Sequence, residues 1–448
     1  MHRLFTMILL CFTPFAAMAE TLPNYVVEAF GLPPDIPDDA PSQAVSSAMN
    51  ALVAQSLNQS AWDASQTRVL ESLVAAKDPR LVWTLTDILR FTWQPAFRTA
   101  VTQAGGKILQ IEFETTRHRE ELIDHLIAWD MPAYPGYLAH KRAVFTNYVP
   151  GWEDILIDGD IDWQLVSWGG VSIDNRPYDT TDEVCHCIPA VDNPTVNTAK
   201  DATWLTDDDV VFGITLNGDA RAYPRRIMEV REMVNDTLGG RDLGIPYCTL
   251  CGAAQAFFTD RLPADVKRPI LRTSGLLIRS NKVMFDVETN SVFDTFLGKA
   301  VTGPLAEIGL ELDQGSVITT TWGDWKATYP HTTVLTEDLA LGRDYNLRET
   351  RDKFGPIFPI GDVDPRLPVQ EDVVGVITAT DIPVAFPRAQ AFAALAAGQP
   401  VEYENIKLVQ SAGGIKAIDA NGADLGSHQA FWFAWSQFHP GTVIWPDN

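Results

Sequence analysis

Two parts of this chain carry the same landmarks in the same order, and that repetition constrains the fold more than any other feature. Val211-Phe212-Gly213-Ile214 leads through Asp219 to Ala222-Tyr223-Pro224-Arg225, and Val374-Gly375-Val376-Ile377 leads through Asp381 to Ala385-Phe386-Pro387-Arg388. Later, Thr321-Trp322-Gly323-Asp324-Trp325 up to Tyr329-Pro330 is echoed by Phe431-Trp432-Phe433-Ala434-Trp435 up to His439-Pro440. Matched landmarks in matched order imply duplicated β units that share one core. Tryptophans three residues apart in both copies read as packing rather than as a sugar platform. The copies differ in one respect. The first has Tyr247-Cys248-Thr249-Leu250-Cys251, against which the second sets Leu408-Val409-Gln410-Ser411-Ala412. Any chemistry therefore belongs to the first copy.

The rest of the chain falls into place around this repeat. Arg3, the apolar run Leu4 to Phe15 and the small-x-small triplet Ala17-Met18-Ala19 read as a signal peptide over residues 1–19, cut after Ala19 and carrying Cys11 away. That places the mature protein in the periplasm or outside the cell, with no later run long enough to cross a bilayer. Residues 20–41, with five prolines, are expected to hold no regular element. Residues 42–150 read as helical: Ala44, Val45, Ala48, Leu52 and Val53 recur at helix spacing, as do Val69, Leu70, Leu73 and Val74. Asp78-Pro79 reads as an N-cap with proline at the first helical position, opening a helix striped by Leu81, Val82, Leu85, Ile88 and Leu89. Another helix is expected over Arg119 to Trp129. This region is either HEAT-like or a plain bundle, and its expected role is packing or contact with a protein partner. Residues 151–448 read as the duplicated β-rich domain, with units of roughly 185–345 and 370–448. Strands are expected at Val210 to Leu216, Ile270 to Thr273, Val283 to Phe285, Val317 to Thr321, Val373 to Ala379 and Ile406 to Gln410. Short helices are expected at Arg225 to Val234 and Arg388 to Ala397. The fold class is therefore α+β, helical first and β-rich after.

The formal net charge is −24, and losing Arg3 with the leader makes it −25. Such an excess of acid argues against nucleic acid or an anionic membrane as partner. Asp207-Asp208-Asp209 lacks the spacing of a calcium loop, and Ser274-Gly275 lacks a serine-hydrolase elbow. Asn235-Asp236 and Arg343-Asp344-Tyr345 either line a pocket or form turns and buried networks.

Four cysteines remain in two close pairs, Cys185-His186-Cys187 and Cys248-x-x-Cys251-Gly252. Three readings stay open. An even count in an exported chain suggests two disulfides; neighbours such as Cys185 and Cys187 are poorly placed to bridge each other, so cross-pairing between the pairs is expected. Thiolates suit zinc or copper, with Cys185, Cys187, Cys248 and Cys251 as ligands, His186 as a substitute and Gly252 shaping a knuckle. The third reading is thiol–disulfide exchange at Cys248 and Cys251, with Cys248 as the attacking thiol. There, activation would come from a helix starting at Ala253 or from Arg225, Arg226 or Arg231. The metal reading leads.

The runs Asn217-Gly218-Asp219-Ala220-Arg221-Ala222-Tyr223-Pro224, Val234-Asn235-Asp236 and Tyr247-Cys248-x-x-Cys251-Gly252 resemble the bacterial family called domain of unknown function 3179. Ser274-Gly275-Leu276-Leu277 with Asn281, Thr321-Trp322-Gly323-Asp324-Trp325 and Arg343-Asp344-Tyr345 extend the resemblance from about Ile188 to the C-terminus. The family has no agreed activity. Some members carry selenocysteine in the Cys-x-x-Cys region, so the resemblance implies redox chemistry. Where the family usually has Trp-His-Glu, this chain has Val230-Arg231-Glu232, so a role for that histidine does not transfer. Cys185-His186-Cys187 is not a pattern of most members.

Overall fold

The computed structural model describes residues 22–57, 63–180, 185–336 and 356–446. The leader reading and Arg343-Asp344-Tyr345 lie outside these residues. Within them, helices run from Asn24 to Tyr148 and sheets follow, as the patterning predicts. The proline-rich lead departs from expectation. Asn24–Phe30 is a helix whose Val26 is buried. Pro23 and Pro33 bracket these seven residues instead of interrupting them, and proline ahead of a helix costs nothing.

Local chemistry explains the helix starts. Asp63 accepts from the backbone N–H of Ser65 and Gln66, while Gln66 answers the Asp63 N–H, a reciprocal cap on Ala64–Ala76. Asp78 accepts from the Arg80 N–H ahead of a 3₁₀ turn, Pro79–Leu81, that feeds Val82–Phe91. That helix is buried at every position except Arg90, and the helices 64–76, 95–109, 118–128 and 137–148 lie around its surroundings as a bundle. Lys141, wholly buried, donates to Asp87 (3.0 Å), to the Tyr137 hydroxyl (3.2 Å) and to the Val166 carbonyl (2.6 Å). It thereby ties the bundle to the first strand. The apolar core continues from these helices into the sheet that strand opens, through Leu276, Val283 and Phe285.

Among the described residues the strands form five sheets, a propeller-like set of blades. The first joins Val166–Trp168, Leu271–Ile278, Asn281–Asp286, Val292–Asp294 and Lys299–Ala300, all antiparallel. The second carries Met233–Leu238 and Arg241–Cys248 at its centre. The repeat is explicit in the next two. Ile318–Thr321, Val210–Leu216, Asp219–Pro224 and Thr333–Leu335 pair antiparallel, antiparallel, then parallel. His428–Phe431, Asp372–Ile377, Pro383–Pro387 and Val443–Ile444 do the same. Each copy lays a tryptophan over a strand glycine: any Cβ at Gly213 would overlap the Trp325 ring, and any at Gly375 the Trp435 ring. Each indole N–H then donates to a threonine, Trp325 to Thr332 (2.9 Å) and Trp435 to Thr442 (3.1 Å). All four repeat tryptophans are buried, so they are core.

The strand bearing Cys248, Arg241–Cys248, answers to Ile406–Ser411 in the last sheet. The alignment of Cys251 with Ala412 holds: the Cys251 carbonyl receives the Phe431 N–H of the second copy, and the Ala412 carbonyl receives the Thr320 hydroxyl of the first. The expected 225–234 helix ends at Arg231; Glu232 turns to a left-handed φ of 52° and Met233 begins a strand.

His428 and His439 pack around Phe296 and Trp435, and the His428 Nε2 is buried without a hydrogen-bond partner. Burial, with the neighbouring His439, holds His428 down to about 3. A base whose folded pKa lies below its unfolded value stabilises the fold above the unfolded pKa. That stability is lost as pH falls from about 6.5 toward the folded value, because the unfolded imidazole takes the proton first. His428→Asn keeps an acceptor for Gln314, whose amide lies 2.9 Å from Nδ1, and has nothing to titrate. The stability advantage of wild type over His428→Asn should shrink by about 2 kcal/mol between pH 7 and pH 5, measured by urea unfolding. A pH-independent difference would contradict this.

Candidate functional site

Cys-x-x-Cys-Gly turns out to be a hairpin turn. Tyr247 pairs with Ala254 and Cys248 with Ala253, so Thr249 to Gly252 make the reversal. Gly252 has φ +62°, and a Cβ there would press on the Phe431 ring. Ala253–Ala254 and Ala256–Phe258 are strands, so the helix expected to start at Ala253 does not form. The turn brings both sulfurs to the same side. Cys248 Sγ and Cys251 Sγ share a hydrogen bond at 3.0 Å, and they lie 3.6 and 3.5 Å from the Ser280 carbonyl oxygen. Both thiols are free and buried.

Burial pushes the Cys248 thiol up. Against it act the hydrogen bond with Cys251 and backbone N–H groups of Cys251, Lys282 and Leu250, and together these hold Cys248 below the ordinary thiol value. Backbone N–H groups act against that burial. Arg225 pairs with Glu229, Arg226 lies over Trp204, Arg231 is buried beside Glu232, and none of the three lines the cavity at Cys248.

That cavity holds about 100 Å³ and is walled by Cys248, Leu250, Ile188, Val171, Leu277 and Phe358, among others. Its floor is a β-bulge at Ser274-Gly275, where the register shifts between Thr273 and Leu276. The Ser274 hydroxyl donates to the Val283 carbonyl and accepts from the Leu276 N–H, and the cavity lining contains no histidine to activate it. Gly275, at φ +76°, admits the Val171 carbonyl where a side chain could not fit. One ion pair faces this apolar space: Glu232 and Lys282, both buried, are paired with each other, and Thr249 Oγ1 lies 3.5 Å from Glu232 Oε1. Reading the sequence missed both residues. The available signal was the final position of the family's Trp-His-Glu pattern, which this chain keeps as Glu232.

The second copy packs behind the thiols, outside the cavity lining. The Phe431 N–H donates to the Cys251 carbonyl (2.8 Å), and Trp432, Phe433 and Trp435 share a cluster with both cysteines. A repeat without thiols thus encloses the thiols of the other.

The remaining pair corrects the cross-pairing expectation. Cys185 and Cys187 are bonded to each other, their Cα atoms 5.1 Å apart, within the reach of a disulfide despite one intervening residue. His186 between them is exposed. Among the described residues, the group of three ligand types within 4.8 Å is Asp174, Cys185 and Cys187; the sulfurs of Cys248 and Cys251 do not join it. The four-sulfur set is therefore not assembled. Nor does the group as it stands suit a metal. The sulfurs are spent on each other, and Asp174 is held by Arg176 at 2.7 and 2.8 Å and by the Ala190 N–H at 3.0 Å.

Asn235 and Asp236 prove structural. Asn235 bonds Asp192 and both backbone groups of Leu271, while Asp236 takes Arg221 and the Tyr223 hydroxyl. No helix among the described residues is long and apolar enough to cross a membrane.

Together these features define a class: a helical bundle joined to a propeller-like β domain of duplicated units, with a buried dithiol where the two copies meet. The chain belongs to the family described as Protein of unknown function (DUF3179), whose model matches residues 185–428, more than half of its length. No curated protein and no solved structure matches it.

Proposed function

We propose that this protein is a thiol–disulfide oxidoreductase, exported as its leader suggests, working through Cys248 and Cys251. The observation that carries the reading is the pair of free thiols 3.0 Å apart, with Cys248 on the cavity wall and its thiolate favoured by three backbone N–H groups. The Cys248 thiolate attacks one sulfur of a substrate disulfide, forming a mixed disulfide and releasing one substrate thiolate. The Cys251 thiolate then attacks Cys248 Sγ, closing the Cys248–Cys251 disulfide and releasing the second. Two electrons pass from the dithiol to the substrate, and the two thiol protons follow. Run backward, the same steps oxidise a substrate dithiol. Glu232 lines the cavity together with Cys248, and its role is to accept the Cys248 proton, with Lys282 holding it in place. The apolar, narrow wall favours a slender disulfide over a bulky one.

Reduced protein should close Cys248–Cys251 when mixed with glutathione disulfide, read as loss of two alkylatable thiols by peptide mass spectrometry. Thiols that stay open in oxidised glutathione would overturn the reading. Glu232→Gln should slow the attack by Cys248 about 10²-fold and flatten its pH profile. An unchanged profile would remove Glu232 from the mechanism.

A second reading rests on Asp174, Cys185 and Cys187 lying within 4.8 Å. If the disulfide is opened and Asp174 released from Arg176, the three offer thiolate and carboxylate donors to zinc or copper. Elemental analysis of protein prepared without chelator separates the readings. About one metal per chain, lost on Cys185→Ser and Cys187→Ser, would favour it.

A further inference from the structure

We infer that the Cys185–Cys187 disulfide is an internal electron acceptor for the Cys248/Cys251 dithiol, so that one pair of electrons can pass between two cysteine couples of the same chain. The inference rests on the oxidoreductase reading and names the partner of its first step.

Four observations carry it. The couples stand in complementary states, Cys185–Cys187 closed and Cys248/Cys251 open. The chain next to the disulfide reaches the cavity that Cys248 lines: Ile188, the residue after Cys187, is part of its wall together with Val171 and Thr273. The segment bearing the disulfide is also laid along that wall. Ser172 bridges Cys187 in parallel, the Ser172 N–H donates to the His186 carbonyl (3.0 Å), and the Thr273 hydroxyl donates to the Ile188 carbonyl (2.6 Å). Finally, Cys187 is buried while Cys185 is half-exposed, so the disulfide reaches from the interior toward solvent. Sulfurs of the two couples do not form a group of three within 4.8 Å, so transfer requires the 185–188 segment to swing inward over the cavity.

The Cys248 thiolate attacks one sulfur of Cys185–Cys187. A Cys248 mixed disulfide forms and the other sulfur leaves as thiolate. Cys251 then attacks Cys248 Sγ, releasing the second sulfur. The products are a Cys248–Cys251 disulfide and two thiols at 185 and 187, which take the two protons the first pair gave up. The Asp174 carboxylate beside these sulfurs disfavours their thiolates and so favours the protonated product. Cys185 and Cys187 then pass the electrons outward to an external disulfide.

Cys251→Ser removes the resolving thiol and should leave Cys248 joined to Cys185 or Cys187 in most chains. Non-reducing peptide mapping of the full-length protein would identify the cross-linked peptide, and Cys248→Ser should give none. As a measurement that needs no variant, wild type with open Cys248/Cys251 and closed Cys185–Cys187 is incubated without oxygen or added disulfide. Alkylation should move from positions 248 and 251 to 185 and 187. A static alkylation pattern, together with Cys251→Ser chains joined only to glutathione when it is supplied, would overturn the relay. If wild-type Cys248/Cys251 still closes with glutathione disulfide, only the relay fails. If it does not, the oxidoreductase reading fails with it.

Discussion

Cys248→Ser is expected to lower the rate of reaction with glutathione disulfide by on the order of a thousandfold or more, with the fold unchanged. The attacking species in disulfide exchange is a thiolate. A serine hydroxyl at this position, even with the N–H groups of Cys251, Lys282 and Leu250 turned toward it, does not ionise near neutral pH. Cys251 cannot substitute. It is fully buried and does not line the cavity, so a substrate sulfur has no path to it. Cys251→Ser should show the opposite pattern, with the first step preserved and the mixed disulfide persisting. Stopped-flow kinetics with both variants would decide the order of attack. Equal loss in the two would remove the distinction between an attacking and a resolving thiol.

Arg272→Met is expected to destabilise the protein by about 3–5 kcal/mol. Arg272 is wholly buried and grips both carboxylate oxygens of Asp192, with Asp174 3.9 Å from its Nε. Asp174 also holds Arg176, and Asp192 holds Asn235 and the Asp179 N–H. One guanidinium therefore fastens Asp174 and Asp192, which flank the Cys185–Cys187 disulfide in the chain, to the strand Leu271–Ile278 that floors the cavity. Removing it strands negative charge in the interior, and a buried charge that loses its partner costs far more than the pair contributes. Arg272→Lys should recover only part of the loss, because a single ammonium cannot reproduce the two-pronged contact. Denaturant unfolding measures both. A loss below about 1 kcal/mol for Arg272→Met would mean that Asp192 is satisfied by its other partners.

The duplicated architecture was readable because it is written in local signals. The period-two runs, the Tyr-Pro-Arg and Phe-Pro-Arg corners and the paired tryptophans each fix a strand or turn without help from the rest of the chain. Gly213 and Gly375 show why both copies kept them: a side chain there would collide with Trp325 or Trp435. Asn24–Phe30 is not legible, because the prolines on either side signal a break and a seven-residue helix offers too little periodicity to outweigh them. Two cysteines separated by one residue read as unable to bridge, while what decides is the 5.1 Å between their Cα atoms, set by the bend at His186. The pairing of Glu232 with Lys282 at the cavity depends on a helix ending one turn early and on a register shift in another sheet. Such juxtapositions leave no trace in a single sequence. For the same reason the cysteines could be singled out as the chemical centre, while their division into one closed couple and one open couple could not.

The most direct test of the account is a redox titration of the wild-type chain in glutathione buffers, with the oxidation of Cys248 and Cys251 read separately by differential alkylation and mass spectrometry. The account predicts that the two positions oxidise together as one two-electron couple, with a midpoint between about −270 and −120 mV, the range of working thiol–disulfide catalysts. Cys248 and Cys251 remaining as free thiols across the whole range, or each capped by glutathione without closing on the other, would contradict it.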